Sequence, residues 1–357
     1  MTLTHLPTHV SVYSNQPLGF VSAAEGFIFL SALLCGRVFG KKMNEAGFSP
    51  VAYKLWARAA RLYGYHLLLL AVAFTVVARI AVHTKQPSLQ GLLDFYLAHP
   101  LDGVIASVLL VYRPPLLDIL PMYILFLLAT PIVLWVGRRW GWLVILVPSL
   151  LLWTAAQFGF RSAAYAAFIH MTGVDIPFSA LGAFDLYAWQ LLWMVGVWVG
   201  VGRPGVVGMR PRPKLALVLA MGLAICLCIV RRTPWWDVWN SPPWAPLTDK
   251  WHLGPVRILN FAALAILFSG VQPAVARWVS GNGQRVAQPL VLLGQASLEV
   301  FCAHLLVCFA ALALVDDGTN APAWEQALII VCAFLFLYAT ARVFAKQPRP
   351  GGPRRED

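Results

Sequence analysis

The sequence predicts an all-α fold, a polytopic bundle of transmembrane helices, on three observations. Hydrophobic residues make up 59% of the 357 and charged residues only 12%, far from the near 25% charged of an ordinary soluble domain. Mean hydropathy is +0.70. The apolar residues gather into nine runs near the length of about 20 residues that crosses a bilayer, at 18–38, 62–82, 119–137, 141–159, 181–202, 214–230, 256–275, 288–315 and 324–345.

The first run, GFVSAAEGFIFLSALLCG from Gly19, carries Glu25 near one end. A carboxylate in a spanning helix costs roughly 2.5 kcal/mol or more unless it meets a polar cavity or a partner, so Glu25 points to function. The second run follows WARAARLYGYHLLLL, which sets Arg58, Arg61 and Tyr65 at spacings of three and four on one helical face, with His66 one position on. The stretch Ser88–Tyr112 is apolar but broken by Asp94, His99, Pro100 and Asp102, which suits an interfacial or re-entrant helix pair better than a span. The third run opens with Arg113 and Asp118 in YRPPLLDILPMYILF, the seventh with Lys250, His252, Arg257 and Asn260 in DKWHLGPVRILNFAAL, and the eighth carries Glu299 and His304 in LGQASLEVFCAHLLV. Residues 1–345 form one membrane domain, and the Pro-, Gly- and charge-rich tail 346–357 reads as disordered.

Every second loop is basic. Lys41, Lys42, Lys54, Arg58 and Arg61 fill one, Arg138 and Arg139 another, then Arg203 to Lys214, then Arg277 and Arg285, then Arg342 to Arg355. The positive-inside rule places this set, and the C-terminus, in the cytoplasm. The opposite loops, 83–118, 160–180, 231–255 and 316–323, face the exterior. With nine spans and a cytoplasmic tail, Met1 lies outside, and MTLTHLP reads as the outer end of a first helix that is otherwise missing. The net charge of +12 forms no continuous basic face, which argues against nucleic acid as a partner. The six cysteines fall inside apolar runs without ligand or framework spacing. No metal site, phosphate loop or nucleophile elbow is present.

Sorted by side, the ionisable groups make two clusters. The outer one holds His5, His9, Glu25, Arg113, Asp118, Lys250, His252, Arg257, Asn260, Glu299 and His304, and histidine beside carboxylate is the usual equipment of general-base chemistry. The inner one is Arg58 and Arg61 at a helix start, where guanidinium forks and a helix N-terminus suit phosphate. Plain structural readings stand beside these. Glu25 would pair with Arg113, Arg257 or Lys250; Arg113 and Asp118 would pin a helix mouth; His304 would bond a backbone carbonyl, with Glu299 pairing to it. Arg58 and Arg61 would anchor lipid headgroups, His66 would be packed, and His9 and His252 would be solvated. WWDVWNSPPWAPL, Trp235–Leu247, is an interfacial aromatic belt or a set of sugar-stacking rings.

In these motifs the chain resembles the OpgC-type membrane proteins of the wider acyltransferase-3 superfamily, over His5 to about Arg342. The resemblance implies ten membrane helices that carry an acyl group, succinyl or acetyl, from cytoplasmic acyl-CoA to a hydroxyl of a periplasmic glucan or other glycan in a bacterial inner membrane. No bound cofactor is implied; acyl-CoA is the donor substrate. The superfamily's outer catalytic histidine matches His5, while the arginine that precedes it has no counterpart here. Its paired acyl-CoA arginines match Arg58 and Arg61, with His66 beside them. Glu25, Arg113, Asp118, Arg257, Asn260 and His304 match by position, and Lys250 lies within the same motif.

This leads to an expected mechanism. A polar passage joins the inner arginines to His5, which deprotonates an acceptor hydroxyl or takes the acyl group, with Glu25 orienting it and Arg113, Lys250 or Arg257 stabilising the oxyanion or a succinyl carboxylate. The rival classes are a transporter or flippase of an anion or glycan, and a non-catalytic membrane scaffold.

Overall fold

A computed structural model describes residues 1–173, 176–202, 214–281, 283–315 and 321–345. Among them the chain is helical throughout, with a single isolated β-bridge between Leu18 and Val21. Eight helices are long and apolar enough to cross a membrane: Ala23–Ala46, Phe48–Thr84, Ile119–Trp140, Phe178–Val201, Lys214–Arg232, Pro255–Ser280, Ser297–Leu314 and Ala323–Phe344. A ninth is possible only as a broken pair, Leu143–Gln157 and Phe160–Thr172, bent by 85°. The protein is a multi-pass, all-α membrane protein.

Four expected spans differ from the helices observed, the first of them 18–38, which is the helix Ala23–Ala46 and runs on through Lys41 and Lys42. The run at 62–82 is the second half of a 37-residue helix that begins at Phe48. Its buried stripe of Val51, Leu55, Ala59, Leu62, His66 and Leu69 continues straight through the basic stretch, because charges at the intervening positions sit on the other face and do not end a helix. Arg58 and Arg61 are therefore in the body of a helix and have no N-terminal amides to offer an anion. The run at 141–159 yields only fifteen helical residues, since Gly159 takes a positive φ of 84° and turns the chain. The run at 288–315 breaks between Gln295 and Ser297 into an amphipathic helix, Gln284–Gln295, and the span Ser297–Leu314. The stretch 88–112 forms short helices, Pro87–Leu92, Asp94–Ala98 and Pro100–Val108, none long enough to span. The tail 346–357 and the basic loop 203–213 lie outside the described residues.

The centre of the bundle is the crossing of Ala23–Ala46 with Leu186–Val201. Each helix carries two glycines four residues apart, Gly36 with Gly40 and Gly196 with Gly200, the spacing that lets spanning helices approach at the backbone. The approach is close: a Cβ at Gly36 would lie 2.2 Å from the Val197 carbonyl oxygen, and one at Gly200 would lie 2.1 Å from that of Leu33. Trp189 and Trp193 beside them are fully buried, and each indole N–H finds an acceptor, the Trp251 carbonyl at 3.0 Å and Thr130 Oγ1 at 3.1 Å. At the basic end, Arg138 donates to the Met43 carbonyl at 2.6 Å, satisfying an orphan acceptor in the last turn of Ala23–Ala46.

Candidate functional site

Glu25 begins its helix as a cap. Ser22 and Glu25 form a capping box: Glu25 Oε2 accepts from the Ser22 amide at 2.9 Å and from the Ser22 hydroxyl at 2.5 Å. The other carboxylate oxygen accepts from Arg257 Nε at 2.9 Å and from the terminal guanidinium nitrogen as well. Both side chains are buried, Glu25 at 0% exposure and Arg257 at 1%. One turn further along Pro255–Ser280, Asn260 accepts from the Phe20 amide at 2.7 Å. Arg257, Asn260 and Ala263 are the buried residues of that helix, so a single polar stripe fastens it to the chain that leads into Ala23–Ala46. Glu25 thus meets Arg257, Asn260 meets the backbone that leads into the same helix, and Glu25 does not line the cavity that holds His5.

That cavity, of about 190 Å³, is lined by Thr4, His5, Asn15, Ser22, Asp118 and Lys250 among others. Burial, with the positive charge of Lys250 nearby, pushes His5 down to about 4, which leaves a neutral imidazole able to accept a proton. Burial also lowers Lys250, against the attraction of Glu25. Asp118 goes the other way: desolvation raises it to about 6, although its Oδ2 accepts from the Ala183 amide at 3.2 Å. The ring of His304 lies 5.6 Å from that of His5, and its Nδ1 sits 3.4 Å from Cys308 Sγ one turn along. Glu299 does not pair with His304; its carboxylate accepts from the Tyr65 hydroxyl at 3.4 Å.

A second cavity of about 530 Å³ adjoins through Lys250 and is lined by Gln16, Gln157, Trp236, Asn240, Asp249 and His252. His252, expected to be merely solvated, is held by Asp249 through Nδ1, and that hydrogen bond raises its pKa. Its Nε2 is 4.0 Å from Asp185 Oδ2, a buried oxygen without a hydrogen-bond partner. Asp185 caps Leu186–Val201 with its other oxygen, accepting from the Tyr187 amide at 2.8 Å. The sequence signal for this group was the pair Asp249 and His252 at a spacing of three; Asp185 joins it from another helix and carries no sequence signal of the pairing.

Arg113 is not in either chamber. It lies in a third cavity together with Arg161, a residue with no motif of its own in the sequence. The predicted trio Arg58, Arg61 and His66 also separates. Both arginines are exposed, whereas His66 is fully buried with neither ring nitrogen hydrogen-bonded. Arg58 reaches the Tyr123 hydroxyl at 3.3 Å. From Tyr123 a file of rings leads to the His5 chamber: Phe27 at 5.6 Å, Phe301 stacked on Phe27 at 5.7 Å, then His304 at 5.9 Å. The two expected clusters are therefore connected by aromatic side chains, and the open polar passage expected between them is occupied along this route by Phe27 and Phe301. No group of three or more potential metal ligands exists among the described residues.

Fold and site together define a multi-pass membrane protein with a buried chamber that holds histidine and carboxylate. The chain belongs to the OpgC protein family, whose model matches residues 1–349. Comparison with curated proteins and with solved structures gives no match.

Proposed function

We propose that the protein is a membrane-bound O-acyltransferase of the bacterial inner membrane, with its C-terminus in the cytoplasm, and that it moves a succinyl or acetyl group from cytoplasmic acyl-CoA to a hydroxyl of a periplasmic glucan or other glycan. The observation that carries this reading is that His5 shares one chamber with Lys250 and Asp118, beside a wider chamber rich in amide, indole and imidazole groups. Such groups match the hydroxyls and ring faces of a sugar.

In this scheme the glycan enters by the wider chamber along Trp236, Asn240 and Gln157. His5 takes the proton of an acceptor hydroxyl as its oxygen attacks the thioester carbonyl. Lys250 stabilises the oxyanion that forms. The carbon–sulfur bond breaks, and the CoA thiolate leaves with the proton from His5. Arg58 and Arg61 hold the CoA phosphates at the cytoplasmic side, and the thioester arm passes Tyr123 when Phe27 or Phe301 swings aside. Glu25, Arg257 and Asn260 serve by fixing the helix ends around the chamber, which answers why a carboxylate stands in the first span: it is buried with a cation and caps a helix.

Inside-out vesicles loaded with acceptor glycan and given radiolabelled acyl-CoA on the outside test the scheme. Thioester consumption with labelled glycan is expected, and His5→Ala should lower it by about 10²–10⁴-fold. Label or glycan crossing the membrane without thioester loss would make the protein a transporter instead.

A further inference from the structure

Arg113 and Arg161 share a cavity of about 300 Å³ that the scheme above leaves unused. Apart from the two guanidinium groups its walls are apolar or aromatic, among them Leu109, Val111, Leu125 and Phe168. The Tyr165 hydroxyl is committed to the Ile176 carbonyl. Among the described residues neither arginine has a carboxylate within ion-pair distance. Arg113 donates from Nε to the Leu110 carbonyl at 3.1 Å. Arg161 donates to the Gly182 and Ala183 carbonyls at 2.5 and 3.3 Å and lies over the Phe178 ring. Most of their ten N–H donors remain without a protein acceptor.

The arrangement is built, because Gly182 does two jobs in it. Its carbonyl holds Arg161, and its missing side chain admits Arg113: a Cβ there would lie 2.8 Å from Arg113 Cβ and 3.0 Å from Asp118 Cβ. Burial and the charge of Arg161 lower Arg113 only to about 10, against the attraction of Asp118, Tyr187 and Asp185, so at neutral pH two like charges face one small apolar chamber with both carboxylates near but outside ion-pair distance. Paired cations in low dielectric are unfavourable unless an anion joins them. Arg161 stands on Phe160–Thr172, the helix turned 85° from the apolar helix before it and without a buried residue, as a helix lying in the headgroup layer would be.

We infer that Arg113 and Arg161 hold the phosphate of an anionic phospholipid, with an acyl chain lying against Leu109, Val111, Leu125 and Phe168. Two guanidinium forks match phosphate oxygens, and the apolar walls match a hydrocarbon chain where a glycan would find no partners. The inference does not depend on acyl transfer. It predicts that the lipid is a resident part of the protein at the end of the bundle that carries Asp118.

The full chain, purified in neutral detergent, is titrated with phosphatidylglycerol, phosphatidylcholine, inorganic phosphate or succinate while thermal unfolding is followed, and native mass spectrometry counts retained lipid. Phosphatidylglycerol should raise the unfolding temperature and stay bound. Arg161→Ala should weaken its apparent affinity by about fivefold or more, and Arg161→Lys should weaken it less. Ala164→Phe, which narrows the apolar wall and leaves both charges in place, should also weaken it, and this variant serves if Arg161→Ala does not fold. Equal lipid retention by wild type, Arg161→Ala and Ala164→Phe overturns the inference. Protection by succinate or phosphate equal to that by phosphatidylglycerol also overturns it, and makes the chamber a site for a soluble oxyanion.

Discussion

The helices of this bundle fall into two sets that are held in different ways. In Ile119–Trp140, 67% of the membrane window is buried within the protein, and in Phe178–Val201, 56%. In Lys214–Arg232 and Pro255–Ser280 the share is 11%. The first set is joined by backbone approach at glycines and by buried indoles. The two helices of the second set pack on each other through Ala220, Ala224 and Ala263, and Pro255–Ser280 reaches the central bundle through Arg257 on Glu25, Asn260 on the Phe20 amide and Phe261 on Phe29. Since lipid is as apolar as leucine, an exposed apolar face gains little by turning inward. A peripheral helix therefore depends on polar pairs that lipid cannot satisfy, whereas the central helices depend on shape.

The largest expected effect is on the polar fastening. Glu25→Ala leaves Arg257 as an unpaired buried cation and removes half of the capping box, and losing one partner of a buried pair costs about 3–5 kcal/mol. The unfolding temperature in detergent should drop by several degrees or more. Glu25→Leu combined with Arg257→Met removes both charges at similar volume, and should recover most of the loss. A double variant as unstable as the single one would show that shape, not charge, holds the peripheral helix, and the division between the two sets would collapse.

A second test uses Asp118, which stands at the mouth of the central helix Ile119–Trp140. Its folded carboxyl titrates near 6 against an ordinary value of 3.8, with desolvation the cause. The folded state therefore binds this proton more tightly than the unfolded chain. Stability from this group is complete below 3.8 and is lost as pH rises through 6, by roughly 3 kcal/mol at most. Asp118→Asn should remove that part of the pH dependence and be more stable than wild type at pH 7. If the two proteins keep parallel pH profiles between 4 and 7, the carboxylate is satisfied in its chamber.

How much of this was legible beforehand follows from the same division. The apolar runs gave the span positions, and the cost of a carboxylate in lipid marked Glu25, because both signals are local. The helix start at Phe48 was hidden, since Lys54, Arg58 and Arg61 resemble a loop until the stripe from Val51 to Leu69 is seen to be buried. The membrane-facing rule that polar groups need partners said that Glu25 had one, yet it could not choose among Arg113, Arg257 and Lys250. That choice is made by the crossing of helices 232 residues apart. Arg161 went unassigned because a lone arginine past an apolar run reads as a loop charge; only the turn at Gly159 brings it to Arg113. His252 looks solvated in the sequence for the same reason, its second carboxylate arriving from the cap of another helix.

The smallest effects separate the two sets most cleanly, because one substitution should act with opposite sign in each. Gly200→Ala places a methyl group 2.1 Å from the Leu33 carbonyl oxygen, so Leu186–Val201 must move off Ala23–Ala46, an overpacking that costs about 1–3 kcal/mol. Gly222 lies in the peripheral helix Lys214–Arg232 with nothing within 4 Å of its would-be Cβ. There the same change meets open space and only restricts the unfolded backbone, which stabilises by at most ~1 kcal/mol. Thermal unfolding of the two variants side by side should show a fall of several degrees for Gly200→Ala and no change or a small rise for Gly222→Ala. A matching fall at Gly222 would mean that the peripheral helix packs as tightly as the central one when in lipid, through a second copy of the chain or an ordered lipid against that face, and the contrast between shape and charge would have to be redrawn around that neighbour.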